Sequence, residues 1–151
     1  MSVGEFCNRE VIVVQREETA RGAAQLMRKF HVGDVIVVDE TNGRRVPVGI
    51  VTDRDLTIEI LAADVDPDVV TVGDVMSGDL VSADEHEDTW DCLQQMRNRG
   101  VRRMPVVDRD GALVGIMTVD DYINVFAEQL EDLVRLVTRE QMRERTVRDR
   151  P

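Results

Sequence analysis

The feature that most constrains this chain is an internal repeat. The segments Gln25–Asp39 (QLMRKFHVGDVIVVD) and Gln94–Asp108 (QQMRNRGVRRMPVVD) align without a gap at an offset of 69 residues. Beyond them the offset falls to 66 residues, because the turn ETNGRR of the first copy is three residues longer than the RDG of the second. A unit written twice predicts two similar structural units within the 151 residues.

Each copy carries the hydrophobic pattern of a strand, a helix, two strands and a second helix. Thr19 and Asp88, at equivalent positions, predict helix N-caps. The helix that follows Asp53 is predicted to turn Leu56, Ile60 and Leu61 inward. The predicted strands are 11–14, 35–38, 46–51, 80–83, 104–107 and 112–117, and the predicted helices are 19–30, 53–63, 88–99 and the segment from Val119.

Neither copy is expected to be stable alone, since a unit of about 60 residues buries little apolar surface. Two copies packed face to face would cover each other's aliphatic side chains. We therefore predict an α/β (α+β) fold of two tandem β-α-β-β-α repeats with approximate two-fold symmetry, followed by an extended C-terminal helix. The predicted boundaries are 1–68 for the first repeat, 69–127 for the second and 128–151 for the C-terminal helical extension.

The composition excludes several classes of function. A net charge of −11 argues against nucleic-acid binding by the chain as a whole. No apolar run approaches the roughly 18 residues of a membrane span. Cys7 and Cys92 lack the spacing of a metal site or a disulfide framework, which favours reduced thiols in a cytoplasmic protein. The sequence shows no catalytic or metal-binding motif, so we expect neither an enzyme nor a metal site.

A seven-residue signature stands once in each copy, as GIVTDRD at Gly49–Asp55 and as GIMTVDD at Gly115–Asp121. Each signature has a glycine, two apolar residues, a threonine, two variable positions and an aspartate. Thr-x-x-Asp at the start of a helix is the pattern of a capping box, which needs no ligand. The pattern alone therefore leaves helix capping and ligand binding open.

The duplicated signature, the MPVVD strand and the segment Val72–Asp84 (VGDVMSGDLVSAD) resemble a tandem pair of CBS domains, the module named after cystathionine beta-synthase. The resemblance covers about residues 5–126. It implies a regulatory module that binds an adenosine-containing ligand, AMP, ADP, ATP or S-adenosylmethionine, in a cleft between paired repeats. Because the chain shows no adjoining enzyme, channel or transporter domain, a stand-alone sensor that signals through a protein partner is expected.

The resemblance also indicates which residues would hold the ligand. Asp55 and Asp121 would accept the two ribose hydroxyls in charge-assisted hydrogen bonds. The hydroxyls of Thr52 and Thr118 lie at helix starts, where an anion is favoured. Further candidates are Gly49 and Gly115 for close approach of the backbone, Val11, Ile12, Ile50, Leu80 and Ile116 for the adenine, and Arg103 for a phosphate, with Arg102, Arg44 and Arg45 as weaker choices.

The two copies differ at the position of Arg103. Where the second copy has Arg103, the first has Asp34, whose carboxylate would repel a phosphate. The cleft around Thr118, Asp121 and Arg103 is therefore the predicted nucleotide site. The alternative is a non-catalytic dimerisation or scaffold module with no functional ligand.

The C-terminal segment predicts a helix from Tyr122 to about Arg145, with a stripe of apolar residues at three- and four-residue steps. The stripe continues beyond the second repeat, so we expect it to pair with another subunit or to fold back. A homodimer is the predicted assembly, and the residues from Glu144 onward are predicted to fray. The stripe consists of Ile123, Phe126, Leu130, Leu133 and Val137.

Overall fold

The computed structural model describes residues 1–148, so residues 149–151 of the predicted C-terminal extension lie outside the described residues. The chain divides into two compact units, Met1–Met117 and Thr118–Pro151. The first unit contains both repeats up to the end of the second signature's strand. The second unit begins at the threonine of that signature.

The described elements follow the predicted order and confirm the α/β fold of two β-α-β-β-α repeats. They are α1 (Val3–Phe6), β1 (Val13–Val14), α2 (Ala20–Phe30), β2 (Asp34–Thr41), β3 (Arg44–Thr52), α3 (Asp53–Leu56) with a π-helical continuation (Thr57–Leu61), α4 (Val72–Val75), β4 (Ala83–Asp84), α5 (Thr89–Arg99), β5 (Arg103–Val107), β6 (Leu113–Thr118) and α6 (Val119–Arg148).

Two three-stranded sheets are present, with the strand orders β1-β2-β3 and β4-β5-β6. In the first, β1 runs parallel to β2, and β2 runs antiparallel to β3 with a bulge between Val37 and Val38. In the second, β4 runs parallel to β5. The register repeats as well, because Val14 pairs with Val37 and Ala83 pairs with Val106, 69 residues later in each case.

The helices that cover the sheets are capped as the sequence predicts. The Thr19 hydroxyl accepts a hydrogen bond from the Gly22 N–H at 3.0 Å, and the Asp88 carboxylate accepts one from the Trp90 N–H at 2.9 Å. Both side chains satisfy backbone donors that the first helical turn leaves without a partner. Both caps are therefore confirmed.

The repeats are joined by exchanged N-terminal segments. The Val3 N–H donates to the Glu87 carbonyl oxygen of the second copy, and the Val72 N–H donates to the Glu18 carbonyl oxygen of the first, both at 2.8 Å. Val72 is fully buried in the core of the first repeat, among residues such as Val35 and Val37. The first residues of each repeat thus bond to the other repeat, and these contacts join the two sheets into one unit.

The exchange continues past α1 and α4. Asn8 and Ile116 exchange both backbone hydrogen bonds at 2.9 Å, and the Ser77 N–H donates to the Ile50 carbonyl oxygen at 3.3 Å. Ile116 then packs with Ile36 and Val38 of the first sheet. This apolar cluster joins the two copies, as the predicted face-to-face packing requires.

Besides the short helices α1 and α4, which the hydrophobic pattern did not predict, two details differ from the sequence-based expectations. Leu61 is 78% exposed, whereas Ile60 is buried, because consecutive residues of a helix point to different sides of it. The prediction that Leu61 faces inward is wrong. The predicted fraying from Glu144 is also wrong as far as Arg148, the last described residue, because α6 includes it.

The exchange can be tested at Gly115. A Cβ atom placed there would lie 2.6 Å from the Cys7 Sγ and 2.8 Å from the backbone oxygen of Asn8, in the exchanged segment. We expect Gly115→Ala to lower the free energy of unfolding by about 1–3 kcal/mol, the usual cost of overpacking. Urea denaturation measures this change. Gly78→Ala is the control, because a Cβ atom there meets nothing within 4 Å. Equal effects of the two variants would contradict the close packing.

Candidate functional site

The first signature forms a complete capping box at the start of α3. The Asp55 N–H donates to the Thr52 hydroxyl at 3.1 Å, and the Thr52 N–H donates to Oδ2 of Asp55 at 2.8 Å. Thr52 is extended, as the last residue of a strand and a helix N-cap should be. The local fold therefore fixes both side chains that the resemblance assigns to a ligand.

The second signature repeats this arrangement within the unit that begins at Thr118. The Thr118 N–H and hydroxyl both donate to Oδ2 of Asp121 at 2.7 Å, and the Asp121 N–H lies 3.2 Å from the Thr118 Oγ1. The capping interpretation therefore holds for both signatures. It does not exclude a ligand, because a carboxylate has about four acceptor positions and the cap uses one oxygen. Asp55 and Asp121 are both half-buried.

The two signature glycines are in contact with the exchanged segments. A Cβ atom at Gly49 would lie 2.5 Å from the Met76 Sδ, and Gly115 is closed off in the same way by Cys7 and Asn8. Met76 and Cys7 are equivalent residues, 69 positions apart. The space that each missing side chain leaves is therefore occupied by protein.

Three of the five residues predicted to surround adenine come together. Val11 and Ile50 are half-buried and pack, with the buried Ile116, on the cluster between the two copies. Ile12 packs instead on the core of the first repeat. Leu80 is half-buried in the segment between α4 and β4. The apolar residues that do come together are thus centred on Ile50 and Ile116, which follow the signature glycines.

Arg103 forms an ion pair with Asp34, its equivalent in the first copy. Its Nη1 donates to Oδ2 of Asp34 and lies 3.4 Å from the Gly33 carbonyl oxygen. The Gly33 carbonyl oxygen also accepts the Asp53 N–H at 3.0 Å. The guanidinium therefore lies beside the start of α3, next to the first signature.

Burial and a neighbouring carboxylate disfavour the ionised form of Asp34. Burial raises the pKa of the Asp34 carboxyl above its ordinary value, the Arg103 guanidinium lowers it, and repulsion from Asp53 raises it again. The side chains of Arg103 and Asp34 are only 28% and 21% exposed, so water screens the pair weakly. Sequence reasoning noted Asp34 as an obstacle to phosphate but missed that it binds Arg103 directly. The equivalence of the two positions under the repeat was the available signal.

The weaker arginine candidates are also close to carboxylates or exposed. Arg44 lies 3.6 Å from Asp110, and Arg45 lies 3.9 Å from Glu40. Arg102 is exposed. None of these three is held near a signature by a contact in the described residues.

An open hollow of about 500 Å³ lies in the first unit, away from the signatures. Its lining includes Glu17, Glu18 and Glu40, with Arg45 as the basic residue, and none of the signature residues. The acidic lining does not suit a phosphate. Within residues 1–148, no three His, Cys, Asp or Glu side chains are grouped to hold a metal ion, and the helices are too short or too polar to cross a membrane.

Comparison with known sequences agrees with the repeat. The sequence model of the CBS domain matches residues 3–62 and 72–128. An uncharacterized protein of Methanopyrus kandleri is 37% identical over 125 residues, and the match spans 83% of this chain but only 62% of that protein. Hypoxic response protein 1 of Mycobacterium tuberculosis is 32% identical over 117 residues, which are 78% of this chain and 79% of that protein.

Solved structures show the same fold. Hypoxic Response Protein I, with two coordinated zinc ions, has a TM-score of 0.71 and 31% identity, and the match covers 82% of this chain and 98% of that one. The CBS domain pair of protein MJ0100, in complex with 5′-methylthioadenosine and S-adenosyl-L-methionine, has a TM-score of 0.72 and 25% identity. That match covers 83% of this chain and 99% of the other.

Proposed function

This chain belongs to the CBS-domain family, and we propose that it is a non-enzymatic regulatory module that binds an adenosine-containing ligand beside a Thr-x-x-Asp signature. The observation that carries the proposal is the pair of half-buried aspartates, Asp55 and Asp121, each held by its cap in the same geometry. The complex of the MJ0100 domain pair with two adenosine-type ligands supports this ligand class.

The chemistry of ribose suits these carboxylates. A ribose carries two neighbouring hydroxyl donors, and an ionised carboxylate accepts both in hydrogen bonds stronger than those between neutral groups. The capping box holds the carboxylate in place before a ligand arrives, which lowers the entropy lost on binding. The aliphatic side chains of Ile50 and Ile116 would then contact the adenine.

The candidate ligands differ in whether they carry a phosphate. AMP, ADP or ATP would bring an anion that competes with Asp34 for Arg103, and Asp53 adds a further repulsive charge nearby. S-adenosylmethionine has no phosphate and carries a positive sulfonium, so it avoids this competition. The ion pair thus favours S-adenosylmethionine as a second candidate beside the adenine nucleotides.

Regulation would follow from a change in the equilibrium between conformations. A ligand shifts that equilibrium only by its differential affinity for the two states. We propose that an adenosine ligand alters the surface that a homodimer offers to a protein partner. The alternative is a dimerisation or scaffold module, for which the capping boxes alone account for the signatures.

Aspartate variants separate ligand binding from capping. Asp55→Ala and Asp121→Ala remove a signature carboxylate, whereas Asp74→Ala removes the carboxylate of the Thr71 capping box on α4, outside the signatures. All three should lose about 0.5–2 kcal/mol of stability. At a ligand concentration of about 100 Kd, the unmodified protein should gain about 2.7 kcal/mol. Thermal-shift assays with AMP, ADP, ATP and S-adenosylmethionine measure both effects.

Only the signature variants should lose the ligand-induced shift, with affinity lower by roughly 10- to 100-fold for a lost charge-assisted contact. Asp74→Ala should keep it in full. The proposal is wrong if no adenosine ligand raises the melting temperature of the unmodified protein. It is also wrong if Asp74→Ala weakens binding as much as both signature variants do.

The ion pair supplies a second test, of ligand class. In Asp34→Asn the side chain keeps its size but loses its charge, so Arg103 becomes available to a phosphate. We expect this variant to bind AMP about tenfold more tightly, about 1.4 kcal/mol, while its affinity for S-adenosylmethionine does not rise. Isothermal titration calorimetry with both ligands measures this. An unchanged or weaker AMP affinity would show that Arg103 does not contact the phosphate.

A further inference from the structure

The ion pair between Arg103 and Asp34 joins the two repeats through equivalent residues. Asp34 is the first residue of β2, and Arg103 is the first residue of β5. The Arg103 guanidinium donates to the Asp34 carboxylate and, through the same nitrogen, lies 3.4 Å from the Gly33 carbonyl oxygen. Both side chains are mostly shielded from water. The pair is therefore a charged contact inside the interface between the copies.

Arg103 keeps Asp34 ionised against its surroundings. Burial raises the pKa of the Asp34 carboxyl, Arg103 lowers it by its charge and its hydrogen bond, and the charge of Asp53 raises it. The main charged groups that act on Asp34 are thus Arg103 on β5 and Asp53 at the start of α3, whereas its neighbour on β3, Thr52, is uncharged. If Arg103 is withdrawn, both remaining influences oppose ionisation.

A phosphate would compete with Asp34 for the same guanidinium. Arginine binds carboxylate and phosphate oxygens in the same forked geometry. A phosphate monoester carries about −1.5 to −2 charges at pH 7, more than the single charge of a carboxylate. Arg103 also lies beside the start of α3, because the Gly33 carbonyl oxygen near its Nη1 accepts the Asp53 N–H at 3.0 Å. A phosphate ligand at the first signature would therefore meet an arginine that Asp34 already holds.

We propose that a phosphate bound by Arg103 displaces Asp34, which then takes up a proton from water, so that phosphate binding is coupled to proton uptake. The only bond formed is the O–H bond of the neutral Asp34 carboxyl. That carboxyl no longer repels Asp53 or the phosphate, and it gains a hydrogen-bond donor. S-adenosylmethionine has no phosphate and leaves the pair intact. The inference rests on the proposed function and specifies how its site is regulated.

Protonation favours the phosphate complex. The complex holds more protons than the free protein, so its formation becomes more favourable as the pH falls. For a single proton, the contribution of Asp34 to AMP affinity should rise by up to about tenfold per pH unit. The affinity for S-adenosylmethionine should lack this contribution. The chain would thus bind adenine nucleotides in a way that depends on proton concentration.

The first test compares AMP binding by the unmodified chain and by Asp34→Asn, using isothermal titration calorimetry between about pH 5 and pH 8. Asp34→Asn cannot take up this proton, so its advantage in AMP affinity should be largest at high pH and shrink as the pH falls. The phosphate of AMP itself titrates near pH 6, but this contribution is common to both proteins and cancels in the comparison. Titration in buffers of different ionisation enthalpy counts the protons taken up.

The second test follows the Asp34 carboxyl carbon by NMR, identified by the loss of its signal in Asp34→Asn. Saturating AMP should move its titration midpoint to higher pH, whereas S-adenosylmethionine should leave it in place. Without ligand, Arg103→Ala should move the midpoint in the same direction as AMP does, because it removes the same guanidinium. Arg109→Ala is the matched control, since Arg109 is an exposed arginine beyond the other end of β5. It should leave the midpoint unchanged.

The outcomes distinguish the inference from the proposed function. If AMP binds but the Asp34 midpoint stays in place, the inference is overturned and the proposed function stands. The same holds if the chain binds S-adenosylmethionine but no phosphate ligand. If no adenosine ligand raises the melting temperature, the proposed function fails and the inference fails with it. An Asp34 midpoint that Arg103→Ala does not raise contradicts the inference in the absence of any ligand.

Discussion

The structure depends on the reciprocal exchange of short N-terminal segments between two marginal repeats. The residues that open each copy, Val3 and Val72, are fully buried and bonded to the backbone of the other copy. A repeat of this size cannot cover both faces of a three-stranded sheet. The exchange supplies that cover, and it brings Asn8 against Ile116 and Ser77 against Ile50. The strand that leads into each signature is therefore held by the other repeat.

Where equivalent residues of the two repeats contact each other, an exact repeat would bring two identical side chains together. A pair of identical charged residues there would repel, and the chain instead has Arg103 in one copy and Asp34 in the other. The pair is partly shielded from water, so removing either partner would leave a charge with little compensation. This substitution gives the two copies opposite charges at one equivalent position. A phosphate that binds Arg103 would therefore break the ion pair that Arg103 forms with the other repeat.

Much of the fold could be predicted, because the two copies of the repeat can be aligned and each element assigned in both. The caps at Thr19 and Asp88 and the order of strands and helices along each copy follow from alignment of the copies. The exchange was missed, although SVGEFC at Ser2–Cys7 parallels TVGDVM at Thr71–Met76. Hydrophobic patterns report which residues are buried but not which copy buries them. The prediction for Leu61 failed for a local reason, since two consecutive helical residues, Ile60 and Leu61, cannot both point inward.

The helix-start positions of the candidate residues could be predicted from the sequence, whereas the contact of Arg103 with Asp34 could not. Both aspartates and threonines lie at helix starts, as the spacing of the signatures indicates. Sequence reasoning joined Arg103 to Thr118 and Asp121, whereas its described contacts are with Gly33 and Asp34. Side-chain direction across the two copies decides such a grouping, and no pattern within one copy encodes it. Whether the signatures bind a ligand stays a prediction.

The most direct test of the central claim is a methyl NMR titration of the full chain with S-adenosylmethionine and AMP. Ile50 and Ile116 follow the signature glycines and are the residues proposed to contact adenine, whereas Ile58 and Leu61 are exposed on the helix after the first signature. We expect saturable shifts of the Ile50 or Ile116 methyl signals with at least one ligand, and little change at Ile58 and Leu61. No saturable shift at either Ile50 or Ile116 with both ligands would contradict it.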